Sequence, residues 1–371
     1  MIWLQYSGKG VDNLESSIDD QIRGLVRLLR ENYAQPKIAL DLTRVASFFT
    51  LDVLSSIAFG KAFGFMTDNA DRWEYLASND TFFRIIQLVC NYRPLRKIFL
   101  SSVVQRFAAP KETDEVGFGR MSRFAAEIIR ARFDQTEDKT ADQGDMLASF
   151  MARGLSLEEC KSESLVQVIA GSDSTSSTIR LTMLYIISSP RIYHRLQREI
   201  DETVSHFSDE DEVVSDSLAR QLPYLQAVIW EGLRKTPPLF GLLGKVAPPE
   251  GERVGEIFFP GGCEVSGCLQ SVTHREDIFG QDANLFRPER WLEADSQTRN
   301  KFERTTELVF GSGRYGCLGR NIAWMELGKV LSELLRRFDW QIVDPVRPVK
   351  IHKSHSLWVQ KGMDMVVTER N

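Results

Sequence analysis

From Val11 to Tyr33 the apolar residues Val11, Leu14, Ile18, Ile22, Leu25 and Leu29 return at intervals of three and four, the stripe of an amphipathic helix. The same period predicts helices over Leu42 to Phe59, Met121 to Phe133, Leu165 to Ile187, Arg191 to Val204, Tyr224 to Arg234 and Ile322 to Phe338. Short strands are expected in "GEIFFPGGCEVSG", where Pro260-Gly261-Gly262 is a turn between two brief apolar runs, and in the tail at "WQIV" and "DMVVTE". The pattern is that of a mainly α fold with small β-sheets. Pro36, the polar stretch from Asp134 to Asp145 and the acidic "SDEDEVVSDS" from Ser208 to Ser217 read as surface loops, because helical patterning resumes directly after each. With no internal repeat and no linker, residues 1–371 are expected to form a single domain.

Composition changes this picture only by exclusion. The chain is 43% hydrophobic, enough for a large core, and its net charge of -5 offers no basic footprint for nucleic acid. Five cysteines, Cys90, Cys160, Cys263, Cys268 and Cys317, are odd in number and lack the paired spacing of zinc sites, which fits a reducing setting. The start "MIWLQYSGKG" has no signal-peptide layout, and no run is read as long and apolar enough to span a membrane, so no anchor is expected in this chain.

Three constellations carry chemistry. The segment "LVQVIAGSDSTSSTIRLTMLYIISSP", Leu165 to Pro190, is an apolar helix interrupted from Gly171 to Ser177 by glycine and small hydroxyl residues, which are poor helix formers. It reads either as a functional notch that bends or opens the helix, or as two helices joined by a Ser-rich loop. In "VIWEGLRKTPP", Glu231 and Arg234 lie three apart on a helix that Pro237-Pro238 must end, and "FRPERW" offers Arg290 as a third charged partner. A buried glutamate between two arginines pins a loop to a helix through forked hydrogen bonds. The third is "FGSGRYGCLGR", Phe310 to Arg320, with the pattern FxxGRxxCxG leading into an amphipathic helix. A cysteine just before a helix N-terminus has its thiolate favoured by free N–H groups and the helix dipole. Such a thiolate suits a soft metal or heme iron, and Arg314 a carboxylate. A buried structural cysteine and a catalytic nucleophile are the other readings of Cys317.

Taken in order, these motifs resemble the cytochrome P-450 family: the cysteine loop at Phe310 to Gly319, the ExxR at Glu231 and Arg234, the PERW at Pro288 to Trp291, and "AGSDST" at Ala170 to Thr175. The wording is similar to filamentous-fungal members of the pisatin demethylase-like group, through "FFTLDVLSSIAFGKAFG", "LPYLQAVIWEGLRKTPP" and "ELVFGSGRYGCLGRNIAWMELGKVLSELLRRFDW". The resemblance implies a cysteine-ligated heme b, O2 as co-substrate, electrons from an NADPH-cytochrome reductase, and insertion of one oxygen atom into an apolar small molecule, here a fungal secondary metabolite.

On that template Cys317 is the iron ligand, Arg314 a propionate partner, Phe310 packs by the sulfur, and Gly311 and Gly319 shape the loop around the cofactor. Lys245 and His274 are further propionate candidates, or solvated surface groups. Glu231, Arg234 and Arg290 form a structural triad. Asp173 with Ser174 or Thr175 handles protons, and Ala170, Leu239, Leu243, Ser356 and Leu357 face substrate. Ser174 stands where the family carries threonine. The family's N-terminal part is expected to be missing, together with the anchor that places complete relatives at the endoplasmic reticulum membrane. The alternative reading is therefore a truncated, non-catalytic paralogue or gene-model fragment. A heme-thiolate isomerase or dehydratase is a third, disfavoured by the Asp173 to Thr175 hydroxyl relay.

Overall fold

The protein is described by a computed structural model that covers residues 11, 13–108, 110–134, 144–205, 207, 209, 211–241, 244–352 and 358–370. Helix α1 (Leu14–Leu29) buries Ile18, Ile22, Leu25 and Leu29, the stripe read from the sequence, and ends in a π-helical turn over Arg30–Ala34. Asp41 closes strand β1 (Leu40–Asp41) and caps α2 (Leu42–Phe59), its carboxylate accepting the Thr43 N–H at 2.9 Å. Further along are α3 (Tyr75–Asn91), α4 (Gly117–Asp134), α5 (Leu157–Ile187), α6 (Pro190–Val204) and α7 (Pro223–Lys235). The last helix, α8 (Arg320–Arg337), follows the cysteine loop.

Helix α2 has the length and mean hydropathy, 1.4, of a membrane span, which corrects the reading that no segment reached it; 83% of the helix is buried inside the fold. It packs lengthwise on α5, and Phe48 and Phe49 are fully buried there. Each such phenylalanine removed from water stabilises the fold by about 1.5–3 kcal/mol. Helix α5 begins with a reciprocal capping box between Ser156 and Glu159 and runs unbroken for 31 residues. Both readings of an opened helix are thereby corrected. The hydroxyls of Ser174, Ser176 and Thr178 donate to the carbonyls of Ala170, Asp173 and Ser174 within the helix, so the small polar residues satisfy themselves without breaking it. Gly171 has a packing role, since a Cβ there would lie 2.9 Å from the Leu54 side chain of α2.

Strand content is small. After α7 come β2 (Lys245–Val246), β3 (Glu252–Val254), β4 (Ile257–Phe259) and β5 (Glu264–Val265). The turn at Pro260 to Gly262 is present, but the two runs flanking it pair elsewhere, β4 with β3 and β5 with β2, all antiparallel. The tail holds β6 (Phe338–Ile342), β7 (Lys350–His352), β8 (Val359–Lys361) and β9 (Asp364–Glu369). β9 is the centre of a three-stranded antiparallel sheet, with Trp340 opposite Val367 and Leu40 opposite Met365. Phe338, expected to end α8, is already the first strand residue. The acidic segment before α7 is no simple surface loop either: Val214 is fully buried and its N–H donates to Glu333 of α8 at 2.8 Å.

Candidate functional site

The cysteine loop is a tight backbone hook. Gly311 stands at φ +75°, and a Cβ there would meet the Tyr315 carbonyl oxygen at 2.5 Å, so only glycine fits. That turn lets the Cys317 N–H donate to the Phe310 carbonyl at 2.6 Å, and Gly319 then starts α8 as its N-cap. Cys317 is a free, exposed cysteine. The N–H groups of Gly319 and Arg320 and the charge on Arg320 pull the thiol's pKa down, but the protein mass around it pushes harder, and the net direction is up. The expected thiolate stabilisation at the helix start is thus present as a force yet outweighed in the chain alone. Phe310 reaches the loop through its carbonyl, while its ring lies 6.2 Å from Trp324 with the Arg320 guanidinium 5.6 Å above it.

Two of the cations proposed for a carboxylate meet on one aromatic ring that the sequence reading missed. The Arg314 guanidinium sits 4.8 Å from the Tyr315 ring centre and donates to its hydroxyl at 2.7 Å, and the Lys245 ammonium is 5.0 Å from the same ring. His274 is engaged elsewhere. Its Nε2 is 3.3 Å from the Lys235 ammonium, which can only donate, so Nδ1 carries the proton given to the Gln270 carbonyl at 2.8 Å. Burial and the neighbouring Lys235 and Arg234 charges lower its pKa and keep the ring neutral.

Glu231, Arg234 and Arg290 come together as expected, fully buried. Arg234 forks onto both Glu231 oxygens at 2.8 Å, and Arg290 Nε donates to Oε1 at 3.1 Å. The same carboxylate also accepts the Trp291 indole N–H at 2.9 Å and the Arg287 backbone N–H at 2.8 Å. The remaining guanidinium donors hold the carbonyls of Thr273, Phe279, Asp282, Ala283 and Leu285, and Arg290 also donates to the Asp282 carboxylate at 2.9 Å. One carboxylate therefore ties α7 to the whole segment that precedes the cysteine loop.

On α5 the predicted residues separate by face. Ala170 and Ser174, one turn apart, lie on an open face continued by Val166, which is 57% exposed, while the helix from Thr175 to Leu184 is sunk in the core. Thr175 points the other way and is 5% exposed. Asp173 faces a third direction, toward Arg180, whose Nη2 is 3.8 Å from its carboxylate. Burial raises the Asp173 pKa, Arg180 opposes this, and Asp80 adds to it. Of the substrate-facing candidates, Leu239 is half-buried beside Phe240, whose ring lies 4.5 Å from Trp358; Trp358 in turn donates to the Pro237 carbonyl at 2.9 Å. Leu243, Ser356 and Leu357 lie outside the described residues. Trp358 went unnoticed because nothing in its spacing links it to Phe240, which lies between Leu239 and Leu243, both expected to face substrate.

An exposed thiol in a closed loop, paired cations beside it, and an uncovered apolar face on a core helix fit a flat apolar macrocycle with an iron and two carboxylates. Among the described residues no cluster of three or more His, Cys, Asp or Glu side chains competes as a metal site.

Comparison with known proteins agrees with this geometry. The family model "Cytochrome P450" matches residues 4–367. "Cytochrome P450 monooxygenase ABA1" of Pyricularia oryzae is 41% identical over 98% of this chain and 72% of its own length, and "Cytochrome P450 monooxygenase aba1" of Botryotinia fuckeliana is 35% identical over the same shares. Among solved structures, the cytochrome P450DA heme domain has the same fold, with TM-score 0.78 and 17% identity over 100% of this chain and 76% of that one. The chain belongs to the cytochrome P450 family, and with fungal P450 monooxygenases as its relatives it is a heme-dependent oxidoreductase of the monooxygenase kind.

Proposed function

We propose that this chain binds heme b through Cys317 and, with electrons from an NADPH-cytochrome reductase, inserts one atom of O2 into an apolar small molecule of fungal secondary metabolism. The observation that carries this reading is the hook around Cys317: the Phe310 carbonyl bond and the positive-φ turn at Gly311 leave the sulfur free and outward at the start of α8. When bound, the heme supplies the dioxygen chemistry, with the thiolate as its strong electron donor. Arg314 and Lys245 would hold its carboxylates, releasing Tyr315 from one or both cations.

The chain's own part is to place substrate and to move protons. Val166, Ala170 and Leu239 offer an apolar wall that excludes water. Asp173, its carboxyl pushed toward the protonated form, gives up a proton at its carboxyl oxygen to intervening water, since it lies on another face of α5, and Ser174, the hydroxyl on the open face, passes it on after turning away from the Ala170 carbonyl.

A carbon monoxide difference spectrum of the reduced, heme-loaded protein tests the core of this reading, because it reports heme and thiolate together. The parent is expected to show the thiolate-type band and Cys317→Ser to lose it, since a hydroxyl is not a soft anionic donor. Persistence of the band in Cys317→Ser removes Cys317 as ligand.

A further inference from the structure

Behind Asp173, turned away from the open face of α5, lies a polar cavity of about 260 Å³. It is bounded by the starts of α2 and α3, by α5, and by β8 of the C-terminal tail. Charged and apolar groups share its lining, and most of the charge is already committed. Asp41 accepts from the N–H groups of Thr43 and Met363, Asp71 from those of Leu76 and Ala77, and Asp80 is paired with Lys361 at the solvent side. Arg44 lies over the Phe48 ring.

Arg180 is the exception in how it is used. Only 4% exposed, it does not fork onto Asp173 as a buried arginine beside a carboxylate ordinarily does. Its Nε donates to the Gln360 carboxamide oxygen, and Nη1 is 3.4 Å from the hydroxyls of Ser47 and Ser176. Gln360 is itself held, its amide N–H donating to Ser177 at 3.2 Å. The guanidinium is therefore kept 3.8 Å from Asp173, within charge range and beyond hydrogen-bond range.

A forked arginine would lock the carboxylate ionised; no cation at all would leave a buried acid that never gives up its proton. We infer that Arg180, clamped by Gln360 of the C-terminal strand, is a positioning residue that keeps Asp173 able to exchange its proton, and that the polar cavity is the water reservoir refilling it. The inference rests on the proposed role of Asp173 and adds where its protons come from and what sets its affinity for them. The groups facing Asp173 are Arg180 on its own helix, Tyr75 and Asp80 of α3, Asp71 before α3, Asp41 and Arg44 at the start of α2, and Lys361 on β8. Arg180 is the cation that counters its burial.

Two substitutions separate tuning from mere support, because they are expected to act in opposite directions. Arg180→Gln removes the charge and raises the midpoint of Asp173 protonation by about 1–3 pH units, with Arg180→Lys recovering most of the shift. Gln360→Met, nearly the same size, frees the guanidinium to close on Asp173 and lowers the midpoint. The measurement is an infrared titration of the carboxyl band of the resting full chain, assigned by its loss in Asp173→Asn. Resting protein consumes no O2 or electrons, so this result stands apart from whether Asp173 serves the relay, which product yield in the Ser174 variants reports. Unchanged midpoints, or shifts of the same sign in both variants, overturn the inference. Should Arg180→Gln not fold, Gln360→Met decides alone, and an unchanged or raised midpoint there counts against it.

Discussion

Ser174 holds its hydroxyl against the Ala170 carbonyl at 3.0 Å, a bond it must give up to pass a proton outward. Serine lacks the methyl that restricts threonine's χ1, so its hydroxyl is aimed less firmly and part of the reducing equivalents is expected to be lost as peroxide. Ser174→Thr is expected to raise product formed per NADPH in a reductase-supported assay, and Ser174→Ala to lower it with heme content unchanged. Thr175, buried on another face, should matter less; a larger loss in Thr175→Ala than in Ser174→Ala sinks this assignment. The sequence alone favoured Ser174 by its place in the motif and kept Thr175 as the alternative, because a residue list has no faces until the helix is placed. The same holds for Tyr315, whose meeting with Arg314 and Lys245 joins residues 70 positions apart.

At the scale of elements, the Glu231 carboxylate is the knot between α7 and the chain leading to the cysteine loop. Glu231→Ala strands Arg234 in the core and leaves Arg290 only Asp282, 2.9 Å away, as its carboxylate partner; breaking a buried pair of this kind costs about 3–5 kcal/mol. The expected readout is a chemical-denaturation midpoint well below the parent's, with heme loss in parallel; an unchanged midpoint would refute it. Helix α8 carries a second buried acid, Glu326, with one oxygen lacking any partner and burial alone pushing its pKa to about 8. Its folded value is above the unfolded one, so the folded state holds the extra proton and stability falls as pH rises from about 4.5 to about 8. Glu326→Gln should flatten that fall and leave the protein more stable than the parent at the alkaline end, measured by melting temperature against pH. A parallel pair of curves would show that Glu326 does not titrate in this window.

For the molecule as a whole, the unusual surface is an interior one. Val166, 57% exposed on a helix packed against α2, α7 and α8, is apolar area that the proposed heme would cover. Heme is therefore expected to act as a stabilising ligand. At a free concentration a hundredfold above its Kd it adds about 2.7 kcal/mol, and calorimetry of apo and reconstituted protein should show the melting transition rise with heme concentration. Identical melting curves would mean that this face is not where heme binds. Reconstituted Cys317→Ser should recover part of the shift, since the macrocycle still fills the face while the iron–sulfur bond is gone.

Periodicity located the long helices apart from α3, because a three-four stripe encodes which side of a helix is buried, and α2 was legible to its end residues. The cysteine loop, the Glu231 pair and Arg290 were also legible, since glycine at a positive φ and charges at helical spacing are local requirements. Tertiary structure decided everything that depends on what packs opposite. It kept α5 continuous through seven weak helix formers, because their hydroxyls turn back on the helix and Gly171 fits beneath Leu54. It sank the span-like α2 into the core. It added Trp291 to the Glu231 network, set Arg180 just out of bonding range of Asp173, and raised the Cys317 pKa where the helix end by itself would lower it. Desolvation and cross-chain contact are properties of a filled volume, and a single strand of residues carries no record of them.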